Sequence, residues 1–366
     1  MSVSLFAAAL PAFSGSSNDH AAANAPSPVM FAFTGGGYDG YETWAWESIT
    51  HLGFWTPPSA DVRTLAEKNG VKLFHTCGMP DRSNWTSTDA RKAAVQTCVT
   101  DVETNRYDGV FFDFEGNKLS AAEKAAYTQL AQEATAALAP LNATLAVCVG
   151  GRPTYELRNY DYAGLAAAAD FLFIMGYDLH LWDDYTCTST SEGNVCSPAE
   201  ASIRSITAGV NEYLQLPVAA DKLVLGLPWY GQKYREVLAP INDGQIDYKD
   251  VLRAFDWGIV TKKVKDQDSL SWKIDCSSGC KDRGSGLGIS SVWYDDAETL
   301  RPKFALAGQK ALRGVGMWRV DSLPVPAADG SDPHAAEREA MWAAIKAWQN
   351  VSSDASSSWD AQSMLI

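Results

Sequence analysis

The sequence holds no run of 18 or more apolar residues, so no segment of it is long enough to span a bilayer. Basic residues are few: 30 Lys and Arg stand against 44 Asp and Glu, a formal net charge of −14. That balance argues against a nucleic-acid partner, because phosphate neutralisation needs a basic surface. Histidine is scarcer still. His20, His51, His75, His180 and His334 share no metal-ligand spacing, and no C-x-x-C pair accompanies them, so neither a metal nor any other cofactor is expected. A G-x-S-x-G nucleophile elbow is missing, and no internal repeat is visible. One dinucleotide-like pattern does occur, Gly35-Gly36-Gly37-Tyr38-Asp39-Gly40 after an apolar run. The following YETWAWESIT offers no clean helix start, so a glycine-rich loop is the expected structure there.

Aromatic rings, by contrast, are plentiful: 13 Trp, 14 Tyr and 13 Phe in 366 residues. Such rings fill cores, and they also form the stacking floors of sugar-binding clefts. With 46% hydrophobic and 20% charged residues, the chain has the composition of a globular protein with a large core.

The N-terminal run MSVSLFAAALPAF followed by small residues resembles a secretory signal peptide, although it lacks an early Lys or Arg. Residues 1–27 are therefore expected to be a signal peptide or a disordered leader, and the Ser-rich residues 351–366 a disordered tail. Three Asn-x-Ser/Thr sequons begin at Asn84, Asn142 and Asn350. Of the seven cysteines, Cys187/Cys196 and Cys276/Cys280 lie as close pairs in Ser- and Gly-rich stretches, Cys77 and Cys98 could form a third bridge, and Cys148 sits in an apolar run as a buried thiol. These features favour a secreted or endomembrane-lumen protein, expected to be a monomer.

Along the chain, β-rich runs alternate with helical patterns. The runs are 29–35, 51–55, 71–77, 108–115, 144–150, 171–178, 222–231 and 315–321, with helices at Thr88–Asn105, Ser120–Ala139, Pro198–Leu216, Ala297–Leu312 and His334–Trp348. Eight strands with intervening helices suit an α/β fold of the (β/α)8 TIM-barrel type over residues 28–350; a doubly wound open sheet is the alternative. Residues 232–292 are too long for an ordinary excursion between the seventh and eighth strands, and they predict a small β-rich insertion forming one wall of a cleft.

Active sites of such barrels lie at the carboxyl ends of the strands. The fourth run ends Asp113-Phe114-Glu115, which places two carboxylates on one side at roughly 6–7 Å. Two acids so close cannot both ionise easily, which raises one pKa and suits proton delivery to a leaving oxygen. Two solvated acids, or caps of the next helix, are the other reading.

YDGVFFDFEG (107–116) resembles the DGxDxDxE signature of glycoside hydrolase family 18, the chitinase family. FIMGYD, GLPWYG, VWYDD and GVGMWRVD resemble four further family segments in the same order, and within the family the chain resembles its exo-acting, lysosomal chitobiase branch. The resemblance implies retaining, substrate-assisted hydrolysis of β-1,4-N-acetylglucosaminide bonds in chitin or chitobiose-core oligosaccharides. A non-catalytic chitin-binding lectin and an endo-acting chitinase or endo-β-N-acetylglucosaminidase are the alternatives. It also implies roles: Glu115 as acid and base, Asp113 as holder of the acetamido N–H, Tyr177 as donor to the acetamido oxygen. Asp178, Met175, Tyr230 and Trp229 would line or support the pocket, Trp318 would form its floor, and Tyr294 and Asp295 would close its wall. Trp229, Trp318 and Met175 could equally be packing, and Asp295 an N-cap. One position departs: the first acid of the family motif is Phe111 here.

Overall fold

The structure is a computed structural model that describes residues 27–116, 118–153, 158–179, 188–190, 193–195, 198–236, 240–277, 280 and 289–353. The expected leader, apart from residue 27, lies outside the described residues, as do Cys187, Cys196 and the tail beyond 353.

Six strands come first: β1 (Val29–Phe33), β2 (His51–Phe54), β3 (Lys72–Thr76), β4 (Gly109–Phe112), β5 (Thr144–Gly150) and β6 (Phe171–Met175). A short hairpin, β7 (Thr188–Thr190) and β8 (Gly193–Val195), precedes β9 (Leu223–Pro228). Five strands of an inserted sheet follow: β10 (Tyr230–Glu236), β11 (Pro240–Asp247), β12 (Val260–Lys265), β13 (Trp272–Cys276) and β14 (Ile289–Tyr294). The last strand is β15 (Gly314–Trp318). Eight of these close in the order β1-β15-β9-β6-β5-β4-β3-β2, every pair parallel. Closure removes the edges that an open sheet would leave, and the fold is a (β/α)8 TIM barrel.

Period-2 alternation divides the strands between two apolar regions. One set of side chains points into the lumen: Val29, Phe31 and Phe33 from β1, Phe74 from β3, Phe111 from β4, Phe171 and Phe173 from β6, and Val224 from β9. The alternate set, including Met30, Leu73, Val110, Phe112, Val147, Ile174, Leu225 and Met317, joins the larger core shared with the helices. Glycine makes room for the lumen rings. A Cβ on Gly53 would lie 2.5 Å from the Phe31 ring, and one on Gly226 2.3 Å from Phe173.

The helices are α1 (Ala60–Lys68), α2 (Thr88–Asn105), α3 (Ala121–Leu138), α4 (Tyr162–Ala168), α5 (Ile203–Gln215), α6 (Tyr248–Asp256), α7 (Ala297–Gln309) and α8 (Ala335–Ser353). In α3, Ser120 and Glu123 form a reciprocal capping box, and Tyr127, Leu130, Ala131, Ala134 and Leu138 bury one face at helical spacing. No helix among the described residues is long and apolar enough to cross a membrane.

Two expectations shift in detail, and a third holds. Helix α5 starts five residues later than the Pro198 start read from the sequence pattern. The fourth strand stops at Phe112, so Asp113 and Glu115 stand just beyond it. After the glycine-rich loop only two 3-10 turns follow, Tyr41–Thr43 and Trp46–Ser48, and no α-helix begins there. The insertion is an antiparallel sheet of order β11-β10-β14-β13-β12 with α6 packed on it. Helix α6 was not read from the sequence because the stretch around it was assigned to strands; Tyr248, Val251, Leu252 and Ala254 bury its inner face. Bridges Cys77–Cys98 and Cys276–Cys280 are formed, and Cys148 is a buried free thiol.

Candidate active site

The lumen rings form a plug, and the plug is the base of the site. Phe33 packs edge-on against Phe111 at 5.1 Å and against Phe173 at 4.9 Å. Above it opens a cavity of about 410 Å³ lined by Phe33, Trp55, Asp113, Glu115, Cys148, Gly150, Gly151, Arg158, Met175, Tyr177, Asp178, Gln245 and Trp318. Trp55 and Trp318 stand at 89° with centroids 5.3 Å apart, so a ligand ring would meet two aromatic faces at a corner.

Although β4 ends at Phe112, alternation continues past it. Phe114 turns outward against Trp85 at 4.5 Å and Tyr127 at 5.7 Å. Asp113 and Glu115 turn to the cavity, in contrasting environments. Asp113 is largely buried, and its Oδ1 has no hydrogen-bond partner among the described residues. Burial, reinforced by the neighbouring Glu115 charge, pushes its carboxyl up to about 6, against the opposing pull of Arg158 and of the nearby Cys148 thiol. Glu115 has a side chain 58% exposed, and its Oε2 accepts from Nη2 of the buried Arg158 at 3.1 Å. Spacing alone left open which acid would be raised; here it is Asp113.

Tyr177 follows β6 and faces the same cavity. Burial raises its phenol far above the ordinary range, so it remains a neutral donor. Asp178 takes a left-handed backbone (φ 54°), uncommon for a residue with a Cβ. That turn is held on three sides: its N–H donates to Glu200 Oε2 at 2.8 Å, while its Oδ1 accepts from Tyr230 Oη at 2.7 Å and Gln245 Nε2 at 3.1 Å. Strain held by several partners is a feature of binding sites.

Asp113, Glu115, Tyr177, Asp178, Met175 and Trp318 thus meet at one cavity. Tyr230 stands behind it, holding Asp178. Trp229, Tyr294 and Asp295 do not line it. Trp229 is fully buried against Trp342 at 5.1 Å, Tyr294 packs near Tyr248, and Asp295 is locked to Lys303 at 2.6 Å. The insertion's wall comes instead from Gln245 on β11. The N-cap considered for Asp295 belongs to its neighbour Asp296, which forms a capping box with Thr299. Among the described residues no group of three His, Cys, Asp or Glu side chains is placed to hold a metal.

The sequence profile of the family described as Glycosyl hydrolases family 18 matches residues 32–322, the barrel that carries this cavity. The chain belongs to glycosyl hydrolase family 18. It is a glycosidase. "Probable di-N-acetylchitobiase 2" from Dictyostelium discoideum is 28% identical over 346 residues, 86% of this chain and 86% of that protein. Two solved structures share the family 18 fold. The class V chitinase from Nicotiana tobaccum in complex with NAG4 has a TM-score of 0.64 at 19% identity, covering 89% of this chain and 100% of that one. A chitinase-like agglutinin from Robinia pseudoacacia has a TM-score of 0.64 at 21% identity, covering 87% and 98%.

Seven lining residues went unread as site residues, among them Trp55, Arg158, Gln245 and Cys148. Trp55 is the last residue of the run HLGFW, and the rule of inspecting strand ends pointed to it. Arg158 follows β5 by eight residues, and Gln245 comes from the insertion, so nothing local marked either. Cys148 was read as buried, which it is; that it also borders the cavity depends on where β5 sits in the barrel.

Proposed function

We propose that this family 18 glycosidase cleaves β-1,4-N-acetylglucosaminide bonds with retention, assisted by the substrate's own acetamido group, and acts as an exo enzyme on chitin or chitobiose-core oligosaccharides. One observation carries the reading: Asp113, Glu115 and Tyr177 border a single cavity beside the Trp318 ring. The carbonyl oxygen of the 2-acetamido group attacks C1 while the C1–O bond breaks, and Glu115 passes its proton to the leaving oxygen. A carboxyl that donates is neutral and holds a guanidinium weakly, so Glu115 exchanges Arg158 for the leaving oxygen as it takes up its proton. The resulting oxazolinium cation lies against Asp113, whose unpartnered Oδ1 is free to accept the acetamido N–H. Tyr177 donates to the acetamido oxygen and aligns it. Glu115 then removes a proton from water, whose oxygen bonds to C1 as the bond from C1 to the acetamido oxygen breaks, restoring the β configuration, the acetamido group and the acid.

Trp318 serves as the sugar's floor and Trp55 as a second wall, while Met175 and Asp178 line the pocket and Tyr230 supports Asp178. Exo action is supported by the motif runs and by the relative named as a di-N-acetylchitobiase. The NAG4 complex of the tobacco chitinase supports N-acetylglucosamine oligosaccharides as partners. Two disulfides and the exposure of all three sequon asparagines favour a lysosomal or secreted setting. A lectin shares this fold, as the agglutinin illustrates; the retained acid pair favours turnover. Product analysis on tri- and tetra-N-acetylchitooligosaccharides, with Glu115→Gln as control, tests all of this. Stepwise release from one end is expected. Binding without hydrolysis would leave the lectin, and internal cleavage would replace exo with endo action.

A further inference from the structure

Asp113 stands on an apolar plug with few groups able to hold it in one orientation. Directly beneath, Phe111 packs against Phe33 at 5.1 Å and Trp55 at 4.9 Å and offers no polar atom. Beside it, on the neighbouring strand β5, the Cys148 thiol is 3% exposed and borders the same cavity, a buried donor next to a carboxyl whose Oδ1 has no partner among the described residues. The register sets this contact. Phe111 pairs with Ala146 and Phe112 with Val147, so the next lumen-facing position on β5, residue 148, comes level with the next on β4, residue 113.

We propose that Cys148 is a positioning residue for the glycosidase reaction: its thiol, level with Asp113 at the edge of the cavity, donates to the Asp113 carboxylate, fixes its rotamer and supports its ionised form, the part that Phe111 cannot take. This rests on the functional reading above. Because Asp113 is mostly buried, a single donor matters more there than at a surface, and a hydrogen bond to a charged acceptor is stronger than one to a neutral group. The other groups facing Asp113 are the Glu115 carboxylate, which opposes its ionisation, the Arg158 guanidinium, which favours it, and the phenols of Tyr127, Tyr160 and Tyr177. None of these is supplied by β5 itself.

The test compares wild type, Cys148→Ala and Cys148→Ser. Reaction requires Asp113 ionised against the oxazolinium charge, so its protonation sets the acidic limb of the kcat/KM–pH curve. Removing the donor in Cys148→Ala moves that limb up by about half to one pH unit and lowers kcat about five- to tenfold, with KM within about twofold. Cys148→Ser keeps a donor and returns the limb to the wild-type position or below it. A residue that only filled space would lower the melting temperature without moving the limb, and serine would not rescue it. An NMR titration of the Asp113 carboxyl carbon, assigned with Asp113→Asn, reads the same shift without turnover. Coincident titration midpoints in the three proteins overturn the role of Cys148. Wild type that titrates as described but hydrolyses no N-acetylated substrate overturns the functional reading instead.

Discussion

Glu115–Arg158 at the barrel mouth and Asp295–Lys303 under the inserted sheet are both carboxylate–cation pairs, at 3.1 and 2.6 Å. Their surroundings differ. Lys303 and Asp295 are 0% and 1% exposed, and Lys303 Nζ also donates to Ser271 at 2.9 Å, so both charges are enclosed and tied to one geometry. At the mouth only the arginine is buried; the carboxylate faces the cavity with more than half its surface open. A buried pair cannot lose one member without stranding the other, whereas a half-open pair can exchange partners at small cost. The two sites therefore teach a division of labour: the first is a brace that joins the insertion to α7, and the second is a contact that a ligand can replace.

Four experiments bear on that contrast. The largest effect belongs to Glu115→Gln, which removes the transferable proton. Turnover of a di-N-acetylchitobioside should fall about a thousandfold, within the range for loss of a general acid, while the melting temperature stays near wild type. Asp295→Ala should do the reverse. It strands a buried ammonium and costs about 3–5 kcal/mol of stability by denaturant titration, leaving kcat of the folded fraction near wild type. A large fall in kcat without loss of stability would move Asp295 back into the site.

Next comes Asp113→Asn. The Asp113 carboxyl is raised in the fold to about 6 from an ordinary 3.8, so between those values the folded state binds the extra proton. Stability from this group is then highest below the unfolded value and declines as pH climbs toward 6, where the folded state carries the cost of a buried charge. Asp113→Asn should be more stable than wild type at pH 7, by up to about 3 kcal/mol, with the gain fading near pH 4. Equal gains at both pH values would mean that the charge is not the cause. The smallest effect is expected for Gln245→Ala, which removes a donor to Asp178 Oδ1 while Tyr230 still donates, and should raise KM about two- to fivefold with kcat little changed. Phe111→Asp, by comparison, puts a carboxylate among lumen rings, so its thermal stability has to be measured before its pH profile is read.

Much of this molecule was determined by local order along the chain. The continuous apolar runs VMFAF, TLAVCVG and FLFIM sufficed for the strands, Ser120 and Glu123 for the start of α3, and the motif strings for the family, because each depends on residues within one turn or one strand of each other. The carboxylate pair at 113 and 115 was legible for the same reason. What only the tertiary structure decided involves partners far apart in sequence. Arg158 meets Glu115 across 43 positions, Gln245 reaches Asp178 across 67, and Cys148 comes level with Asp113 through the β4–β5 register. VWYDD reads as a cleft motif on the page, yet folding places Tyr294 against Tyr248 and pairs Asp295 with the buried Lys303, away from the cavity lining. Sequence fixes which side chains a strand can present. Closing the barrel decides which of them share a cavity, and hence which acid burial makes harder to ionise.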